Sequence, residues 1–342
     1  MCNSRLIKMR GIKIMAMMAL LIIAVSGCKS SGSASIADID VRKGTEGLSM
    51  EFLKGSPPDK VFEDAPFSVF FGIHNKGAFD IGGKEGGRGV LVLGIENDVI
   101  GIEANGFGDA ESASMDRQTG KILLNLEGKS MINPNGMQDS ISIGLRTKKV
   151  GGQSESRKST ISATACYDYG TTLEGEICVD TDPNSLRPGR KPCSVKDLAF
   201  PQGQGAPVVI TKVESQMLPS NGQIRPNLII YIENKGKGEV AKPSIAEKVC
   251  SSGNLDVGDL NLLSVNAFLS DKELQCTSSR MSEDRVMVRL DKKQGIVRCV
   301  APEGEGYDAN LDSFVSPIRI ELKYGYTFTI SKEFIVERVL TH

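Results

Sequence analysis

The sequence is short of the side chains that most active sites and nucleic-acid surfaces require. It contains no tryptophan, two histidines (His74 and His342), and an aromatic fraction of 5%. Its 41 lysines and arginines are nearly balanced by 42 aspartates and glutamates, so no basic surface indicates a nucleic-acid partner. The shortage of histidine disfavours a histidine general base. The shortage of aromatic rings disfavours a surface on which sugars stack.

Catalytic motifs are also missing. The sequence contains no GxSxG, HExxH or P-loop pattern, and the glycine-rich stretch Gly82–Gly89 lacks the GK[ST] that contacts phosphate and Mg²⁺. His74 stands at the end of a predicted strand, where a partly exposed side chain with a structural role is expected. We therefore predict no catalytic residue and no cofactor. A hydrolase built on an unfamiliar set of carboxylates stays an open alternative.

The first residues have the layout of an export signal. Basic residues without acidic ones precede an apolar run at Ile14–Val25, which is shorter than the roughly 20 residues needed to span a bilayer. The run ends in VSGC, Val25–Cys28, which resembles the lipobox of prokaryotic lipoproteins. The pattern predicts a signal peptide over residues 1–27, lipidation of Cys28 and a flexible tether over 28–37. An ordinary cleaved signal is the alternative.

Six further cysteines follow, and an even number in an exported chain predicts disulfides. They are Cys166, Cys178, Cys193, Cys250, Cys276 and Cys299. Six cysteines allow fifteen pairings. If the chain turns at Thr172, Cys166 pairs with Cys178; a local loop pairs Cys276 with Cys299, and Cys193 is left for Cys250. Because no CxxC occurs, a zinc site is disfavoured.

From Ile36 onward, short segments alternate apolar with polar or small residues and are separated by turn formers. Examples are PFSVFFGIHN, GVLVLGIEN and SISIGLRT, with turns at Ser56–Asp59 and Asn133–Gly136. Period-two alternation of this kind predicts an all-β sandwich or barrel. The segment SIAEKVC, Ser244–Cys250, is the place where a short helix is expected.

The chain contains an internal repeat. Cys166–Asp180 aligns without a gap to Lys323–Glu337, so that Tyr167 matches Tyr324 and Tyr169 matches Tyr326. Upstream, an apolar strand ends in Asn-Lys-Gly in both halves, at Asn75–Gly77 and Asn234–Gly236. Two matched motifs in the same order indicate tandem globular domains. We predict domain 1 over residues 38–195, a linker over 196–206 and domain 2 over 207–342.

Each repeated motif has a structural interpretation. In the NKG motif, asparagine and glycine are expected to take a left-handed backbone at the end of a strand. A ligand contact through Lys76 and Lys235 is the functional alternative. In the YxY motif, the rings are expected to be buried and the hydroxyls hydrogen-bonded to nearby backbone, as in sandwich folds.

Together these motifs resemble the immunoglobulin-like domains of archaeal and bacterial cell-surface proteins, including CARDB-type adhesion modules. The likeness lies in the APVVITKVE strand, the strand ending in NKG and the final YxY hairpin, and it covers most of the mature chain. Paired domains of this type in envelope proteins of small-genome archaea are similar. The resemblance implies two tandem immunoglobulin-like β-sandwiches in an extracytoplasmic setting and carries over no catalytic residue.

The functional prediction is a non-enzymatic, membrane-anchored extracellular lipoprotein that binds a protein partner or envelope component. The candidate binding loops are Gly82–Gly89, Asn133–Asp139 and Gly304–Asp312. The alternative is a structural subunit of a pilus, surface layer or secretion apparatus that assembles by strand pairing. Asp180, Asp182 and Asn184 alternate in a turn-rich loop and form a weak calcium candidate, although Lys191 stands where an EF-hand requires glutamate.

Overall fold

The computed structural model describes residues 41–82, 87–151, 154–251, 256–277, 280–282 and 285–339. Of these residues, 57% lie in strands and 2% in helices, and the strands form several antiparallel sheets. The predicted all-β class with immunoglobulin-like β-sandwiches is therefore confirmed. The predicted signal peptide, Cys28, the tether and His342 lie outside the described residues.

The strands follow one another closely along both halves of the chain. In the first half they are β1 (Leu48–Phe52), β2 (Lys60–Phe62), β3 (Pro66–Asn75), β4 (Gly89–Gly94), β5 (Ile100–Phe107), β6 (Ala113–Asp116), β7 (Lys121–Leu124), β8 (Gln138–Thr147) and β9 (Ser156–Val179). In the second half they are β10 (Leu198–Ala199), β11 (Val208–Ser220), β12 (Gln223–Asn234), β13 (Glu239–Ala241), β14 (Leu262–Leu269), β15 (Lys272–Glu273), β16 (Gln275–Thr277), β17 (Arg280–Ser282), β18 (Arg285–Arg289), β19 (Gln294–Val300), β20 (Tyr307–Asp308) and β21 (Phe314–Glu337). The helix α1 (Ala246–Val249) and a 3-10 turn (Val257–Asp259) lie between β13 and β14.

These strands form three sheets. The β3 sheet has the order β1-β3-β8-β5, and the β12 sheet has the order β10-β11-β12-β19-β16 with β20 also paired to β12. The third sheet, here called the shared sheet, takes strands from both halves in the order β17-β18-β14-β21-β9-β4-β7-β6. In addition, β2 and β13 pair with β21, and β15 pairs with β14.

Alternating side chains along the strands fill the space between the sheets. On β3, Val69, Phe71 and Ile73 are buried, whereas the residues between them face outward. Because successive side chains of a strand point to opposite faces, this alternation buries one face of the β3 sheet. The ring of Phe67 on β3 packs against Phe334 of the shared sheet, with centroids 5.5 Å apart. The β3 sheet and the shared sheet thus form two layers of a sandwich.

The repeat seen in the sequence is also a repeat of topology. In the first half, β3 pairs with β1 and β8; in the second half, β12 pairs with β11 and β19. Both central strands end in NKG. The last strand of each half, β9 or β21, is flanked by β4 or β14 respectively. The two halves therefore repeat the same arrangement of strands.

The two last strands pair with each other over their whole length. The antiparallel ladder runs from Ser156 opposite Glu337 to Val179 opposite Phe314. Its centre lies where Asp168 faces Gly325, and these two positions also correspond in the sequence repeat. The halves are therefore related by a pseudo-two-fold axis through this pair.

Pairing about that axis exchanges strand segments between the halves. The neighbour β4 borders β9 only from Ser162 to Tyr167, and β14 borders β21 only from Ile318 to Lys323. The second half of each long strand extends beyond these neighbours and lies beside the first half of the other long strand. Phe334, which contacts the first repeat, belongs to such a segment of β21. Each sandwich thus includes a strand segment from the other repeat.

The predicted boundary at residues 196–206 stays a prediction, but the two halves are not separate bodies. The described residues from Val41 onward form one compact unit with a continuous hydrophobic core. The predicted linker is itself packed, since β10 pairs with β11 and Gln204 is buried. The Gln204 amide accepts from Ile210 N at 2.9 Å and donates to Ile210 O at 3.1 Å. The repeats therefore share a sheet and a core.

The disulfides are Cys166–Cys250, Cys178–Cys193 and Cys276–Cys299. The prediction for Cys276–Cys299 is confirmed, and those for Cys166–Cys178 and Cys193–Cys250 are wrong. The chain does not turn at Thr172, because Cys166 and Cys178 lie on the single continuous strand β9. Twelve strand residues at about 3.3 Å each separate them by roughly 40 Å, far beyond the reach of a disulfide.

The expected short helix is present as α1, and it lies on the outer face of the shared sheet. A Cβ built on Gly325 would lie 3.2 Å from the Cβ of Ala246, so helix and sheet are in close contact. Ser244 N donates to the Asp168 carboxylate at 3.0 Å, and burial raises the pKa of that carboxyl group. The Cys166–Cys250 disulfide ties this segment of the second repeat to the first. Within the described residues, no helix is long and apolar enough to cross a membrane.

We expect removal of Cys166–Cys250 to destabilise the fold more than removal of Cys276–Cys299. The first bridge closes 84 residues and the second 23, so chain entropy predicts losses of about 4.5 and 3.4 kcal/mol in the free energy of unfolding. Urea unfolding of the paired variants Cys166→Ser/Cys250→Ser and Cys276→Ser/Cys299→Ser measures both. A larger loss for the shorter loop would contradict the inter-repeat role of Cys166–Cys250.

Candidate functional site

Four tyrosines occupy the centre of the molecule, at the pseudo-two-fold axis. In the β9–β21 ladder Tyr167 faces Tyr326 and Tyr169 faces Tyr324. All four are buried, and neighbouring rings have centroids 5.4–6.3 Å apart. Tilted and edge-to-face contacts at these distances are favourable between aromatic rings. The predicted burial of the YxY tyrosines is confirmed.

The NKG asparagines close this centre through matched hydrogen bonds. In the first repeat Tyr169 Oη donates to Asn75 Oδ1 at 3.1 Å, and Asn75 Nδ2 donates to Phe79 O at 2.8 Å. In the second repeat Tyr326 Oη lies 3.3 Å from Asn234 Oδ1, and Asn234 Nδ2 donates to Gly238 O at 2.9 Å. Because buried polar groups need partners, each asparagine and tyrosine stabilises the burial of the other.

The glycines of the NKG motif are required for close approach. A Cβ on Gly77 would lie 2.0 Å from Tyr169 Oη, and one on Gly236 would lie 2.0 Å from Tyr326 Oη. Neither glycine has the positive φ of a left-handed backbone, and neither do Asn75 and Asn234. The predicted left-handed turn is therefore wrong. The third position of the motif is glycine because a tyrosine hydroxyl fills the space that a side chain would need.

The remaining two tyrosines bind the first strand of their own repeat. Tyr167 Oη accepts from Leu48 N at 3.3 Å, and Tyr324 Oη accepts from Val208 N at 3.4 Å. Burial raises the pKa of Tyr167, Tyr169 and Tyr324 well above the usual value and raises the pKa of Tyr326 to about 12. The hydroxyls therefore stay protonated near neutral pH and serve as structural hydrogen-bonding groups.

The lysines of the NKG motif each lie near a carboxylate. Lys76 Nζ is 3.6 Å from Glu46, and Lys235 Nζ is 3.9 Å from Glu233. Such partly exposed pairs contribute little to stability. A ligand contact through Lys76 and Lys235 stays a prediction.

The calcium candidates lie in a network of ion pairs and hydrogen bonds. Asp180 Oδ2 is 2.7 Å from Lys191 Nζ. Burial opposes ionisation of Asp180, but the hydrogen bond from Lys191 and further donors hold its pKa below the usual value. Asp182 accepts from Arg187 N and Leu186 N, which lower its pKa.

The side chain of Lys191 and the backbone N–H groups of Leu186 and Arg187 donate hydrogen bonds to Asp180 and Asp182. Asn184 is exposed beside them. The described residues contain no cluster of three or more histidine, cysteine or carboxylate side chains that could hold a metal. The calcium site at Asp180, Asp182 and Asn184 stays a prediction.

Two of the predicted sites coincide in space. The loop that contains Asp182 is bonded to Gly304–Asp312 because Arg187 Nη1 donates to Leu311 O at 2.8 Å. Ser313, the residue that follows this loop, donates through Oγ to Asp180 at 3.0 Å. The other two loops flank the end of β3. Gly136 in Asn133–Asp139 packs on Asn75 O, and the part of Gly82–Gly89 at residues 83–86 lies outside the described residues.

His74 has a structural contact at this end of β3. Its Nε2–H donates to Asn135 O at 2.8 Å, which fastens the Asn133–Asp139 loop to the strand. His74 therefore holds a loop in place, as expected of a histidine at the end of a strand.

Two surface grooves were not predicted from sequence. One, of about 630 Å³, follows β5 and is lined by Ile102, Glu103 and Arg146 among others. The other, of about 430 Å³, lies on the shared sheet beside Phe268, Arg319 and Glu174. Neither lining contains a histidine or cysteine. Sequence reasoning missed them because each combines side chains from separate strands.

The sequence matches no model of a known protein family and no curated protein. Among solved structures, the C-terminal domain of the Streptococcus pyogenes antigen I/II-family protein AspA is 6% identical, with 86% of this chain and all of that chain covered, at a TM-score of 0.18. The Enterococcus faecalis MSCRAMM ACE is 7% identical, with 88% of this chain and 98% of that chain covered, at a TM-score of 0.17. The Pseudomonas aeruginosa CupB6 tip adhesin is 11% identical, with 86% of this chain and 98% of that chain covered, at a TM-score of 0.16. These neighbours are bacterial surface adhesins, and the match is weak.

We expect Gly77→Ala to lower the free energy of unfolding by about 2–4 kcal/mol, because the new methyl group overlaps Tyr169 Oη and backbone oxygens. Gly101→Ala is the matched control, since a Cβ at Gly101 meets nothing within 4 Å. Combining Gly77→Ala with Tyr169→Phe should recover part of the loss, which a double-mutant cycle in urea measures. Additive losses would refute the role of the hydroxyl.

We expect the protein to lose stability above about pH 10 through its buried tyrosines. Burial raises the pKa values of these tyrosines in the folded protein. Their contribution to the free energy of unfolding is therefore complete below the pKa of unfolded tyrosine and is lost as the pH rises through the pKa values of the folded protein. Thermal unfolding between pH 7 and 11.5 should show a shallower loss for Tyr326→Phe than for wild type. Phe70→Leu, at an exposed position without an ionisable group, is the control. Equal slopes for the two variants would contradict the prediction.

Proposed function

We propose that this chain is a non-enzymatic, membrane-anchored extracellular lipoprotein that serves as a binding or adhesion module of the cell envelope. The observation that carries the proposal is the use of cysteine. All six cysteines after Cys28 form disulfides, which persist in oxidising compartments outside the cytoplasm. Cys28 is the last residue of the VSGC motif, which stands at the end of a leader of export type.

A rigid scaffold that presents surface features to a partner supports a binding role. The buried tyrosine centre and the ladder between β9 and β21 fix the two sandwiches relative to each other. The loops Asn133–Asp139 and Gly304–Asp312 and the grooves on β5 and the shared sheet are then held on one body. The partner proposed is a protein or another component of the envelope, because these surfaces are open and mixed in polarity.

The ionisable groups also support a role without catalysis. The strongest pKa shifts belong to Tyr167 and Tyr324, whose hydroxyls are buried and engaged in the core. Asp180 and Asp182 are occupied by neighbouring cations and backbone donors. Catalytic groups are usually perturbed within a cleft that a substrate can enter, and these groups lie elsewhere.

The alternative, a structural subunit that assembles by strand addition, has less support. The outermost strands of the described sheets are short: β1 has five residues, β6 four, β16 and β17 three, and β10 two. The longer edge strand β5 is interrupted by a register shift between Ile102 and Phe107. Short and bulged edges discourage pairing with another chain.

The lipoprotein proposal predicts acyl mass on Cys28 in protein isolated from membranes. Mass spectrometry of the mature N-terminus measures it directly. Cys28→Ser should move the protein from the membrane fraction to the soluble fraction without changing the disulfide map, because each buried acyl CH₂ contributes about 0.8 kcal/mol to membrane binding. Cys2→Ser is the control and should leave anchoring unchanged. A mature protein with an unmodified Cys28 would end the lipoprotein proposal.

A further inference from the structure

An apolar corner stands on the surface of the first repeat. Ile132 is 97% exposed, and the neighbouring Met131 is 55% exposed. They form the tip of a tight turn in which Ser130 N donates to Asn133 O at 2.9 Å and Asn133 N donates to Ser130 Oγ at 3.0 Å. Turn corners are normally glycine, proline, asparagine, aspartate or serine. Forming the turn therefore does not account for two large apolar side chains at its tip.

The turn is held firmly against the end of β3. Lys129 N donates to Gly77 O at 2.7 Å, and His74 donates to Asn135 O at 2.8 Å. Gly136 lies so close to the strand that a Cβ there would be 1.9 Å from Asn75 O. These contacts fix the base of the loop. Met131 and Ile132 point outward, and neither packs against the hydrophobic core.

The chain enters the compact unit at the same end of β3. Gly44 N donates to Gln202 O at 2.8 Å, and Gly205 N donates to Gly44 O at 2.8 Å. Ala78 N in turn donates to Gly205 O at 2.7 Å, next to the Gly77 that holds the apolar loop. One network of backbone hydrogen bonds therefore joins the first described residues to the loop that carries Ile132.

We propose that Met131 and Ile132 are a second membrane contact, inserted in the interface of the bilayer that holds the lipid anchor. This inference rests on the proposed acylation of Cys28. About 13 residues separate Cys28 from Val41, and at no more than roughly 3.6 Å each they keep this end of β3 within about 45 Å of the bilayer. An apolar side chain held this close to a bilayer buries its surface at the boundary between headgroups and acyl chains, which adds to the affinity that the lipidated Cys28 provides.

The absence of tryptophan makes a direct test possible. Ile132→Trp introduces the sole tryptophan of the chain, and its emission reports that position alone. The acylated full-length protein is reconstituted in vesicles of phosphatidylethanolamine and phosphatidylglycerol, with or without lipids brominated on the acyl chain. Leu186→Trp is the matched control, since Leu186 is 81% exposed. It follows the end of β9, whose last residue lies about ten strand residues, roughly 33 Å, beyond Tyr169.

We expect the emission of Ile132→Trp to shift to the blue on vesicles and to be quenched at least about three-fold more strongly than that of Leu186→Trp, as for a side chain at the acyl boundary. Protein that floats with vesicles while both tryptophans are quenched equally overturns the second contact and leaves the anchor intact. Protein that fails to float overturns the anchor and the contact together. A blue shift of Ile132→Trp without vesicles overturns the inference by showing that a protein surface covers the corner.

Discussion

The fold depends on the antiparallel ladder between β9 and β21. These strands are the last of each repeat, and they pair over 24 residues about the point where Asp168 faces Gly325. Such pairing is self-complementary in the way that an isologous dimer interface is, since equivalent residues meet across an axis. Here both partners belong to one chain. The contact therefore needs no second molecule and does not depend on protein concentration.

The tyrosine centre follows from this ladder. Because the axis passes through Asp168 and Gly325, the flanking positions bring Tyr167 opposite Tyr326 and Tyr169 opposite Tyr324. Four large rings need space, and the NKG glycines provide it for two of the hydroxyls, those of Tyr169 and Tyr326. The asparagine that precedes then supplies the hydrogen-bond acceptor. The NKG motif thus depends on the YxY motif far away in the chain, which explains why both occur together in each repeat.

The local features of this structure were predictable from the sequence, and the long-range pairings were not. Period-two alternation located β3, β8 and β12, and the repeat located the matched motifs. Gly170 and Gly175 flank Thr172 and favoured a turn there, yet the strand runs on through both glycines, so the expected local disulfide does not form. Alternation describes the two faces of a strand and contains no information about its neighbours in the sheet. The partner of Cys166, the exchange of strand segments and the grooves all depend on those neighbours.

The exchange of strand segments has a consequence for the order in which the protein folds. A ribosome releases the chain from its N-terminus, and Val179 emerges long before its partner Phe314. At 5–20 residues per second this interval is on the order of ten seconds. During it the far half of β9 has an unsatisfied edge, and contacts so distant along the chain form slowly. The far half of β9 is therefore the last part of the first repeat to gain its partner, and completion of β21 is the step that covers its edge.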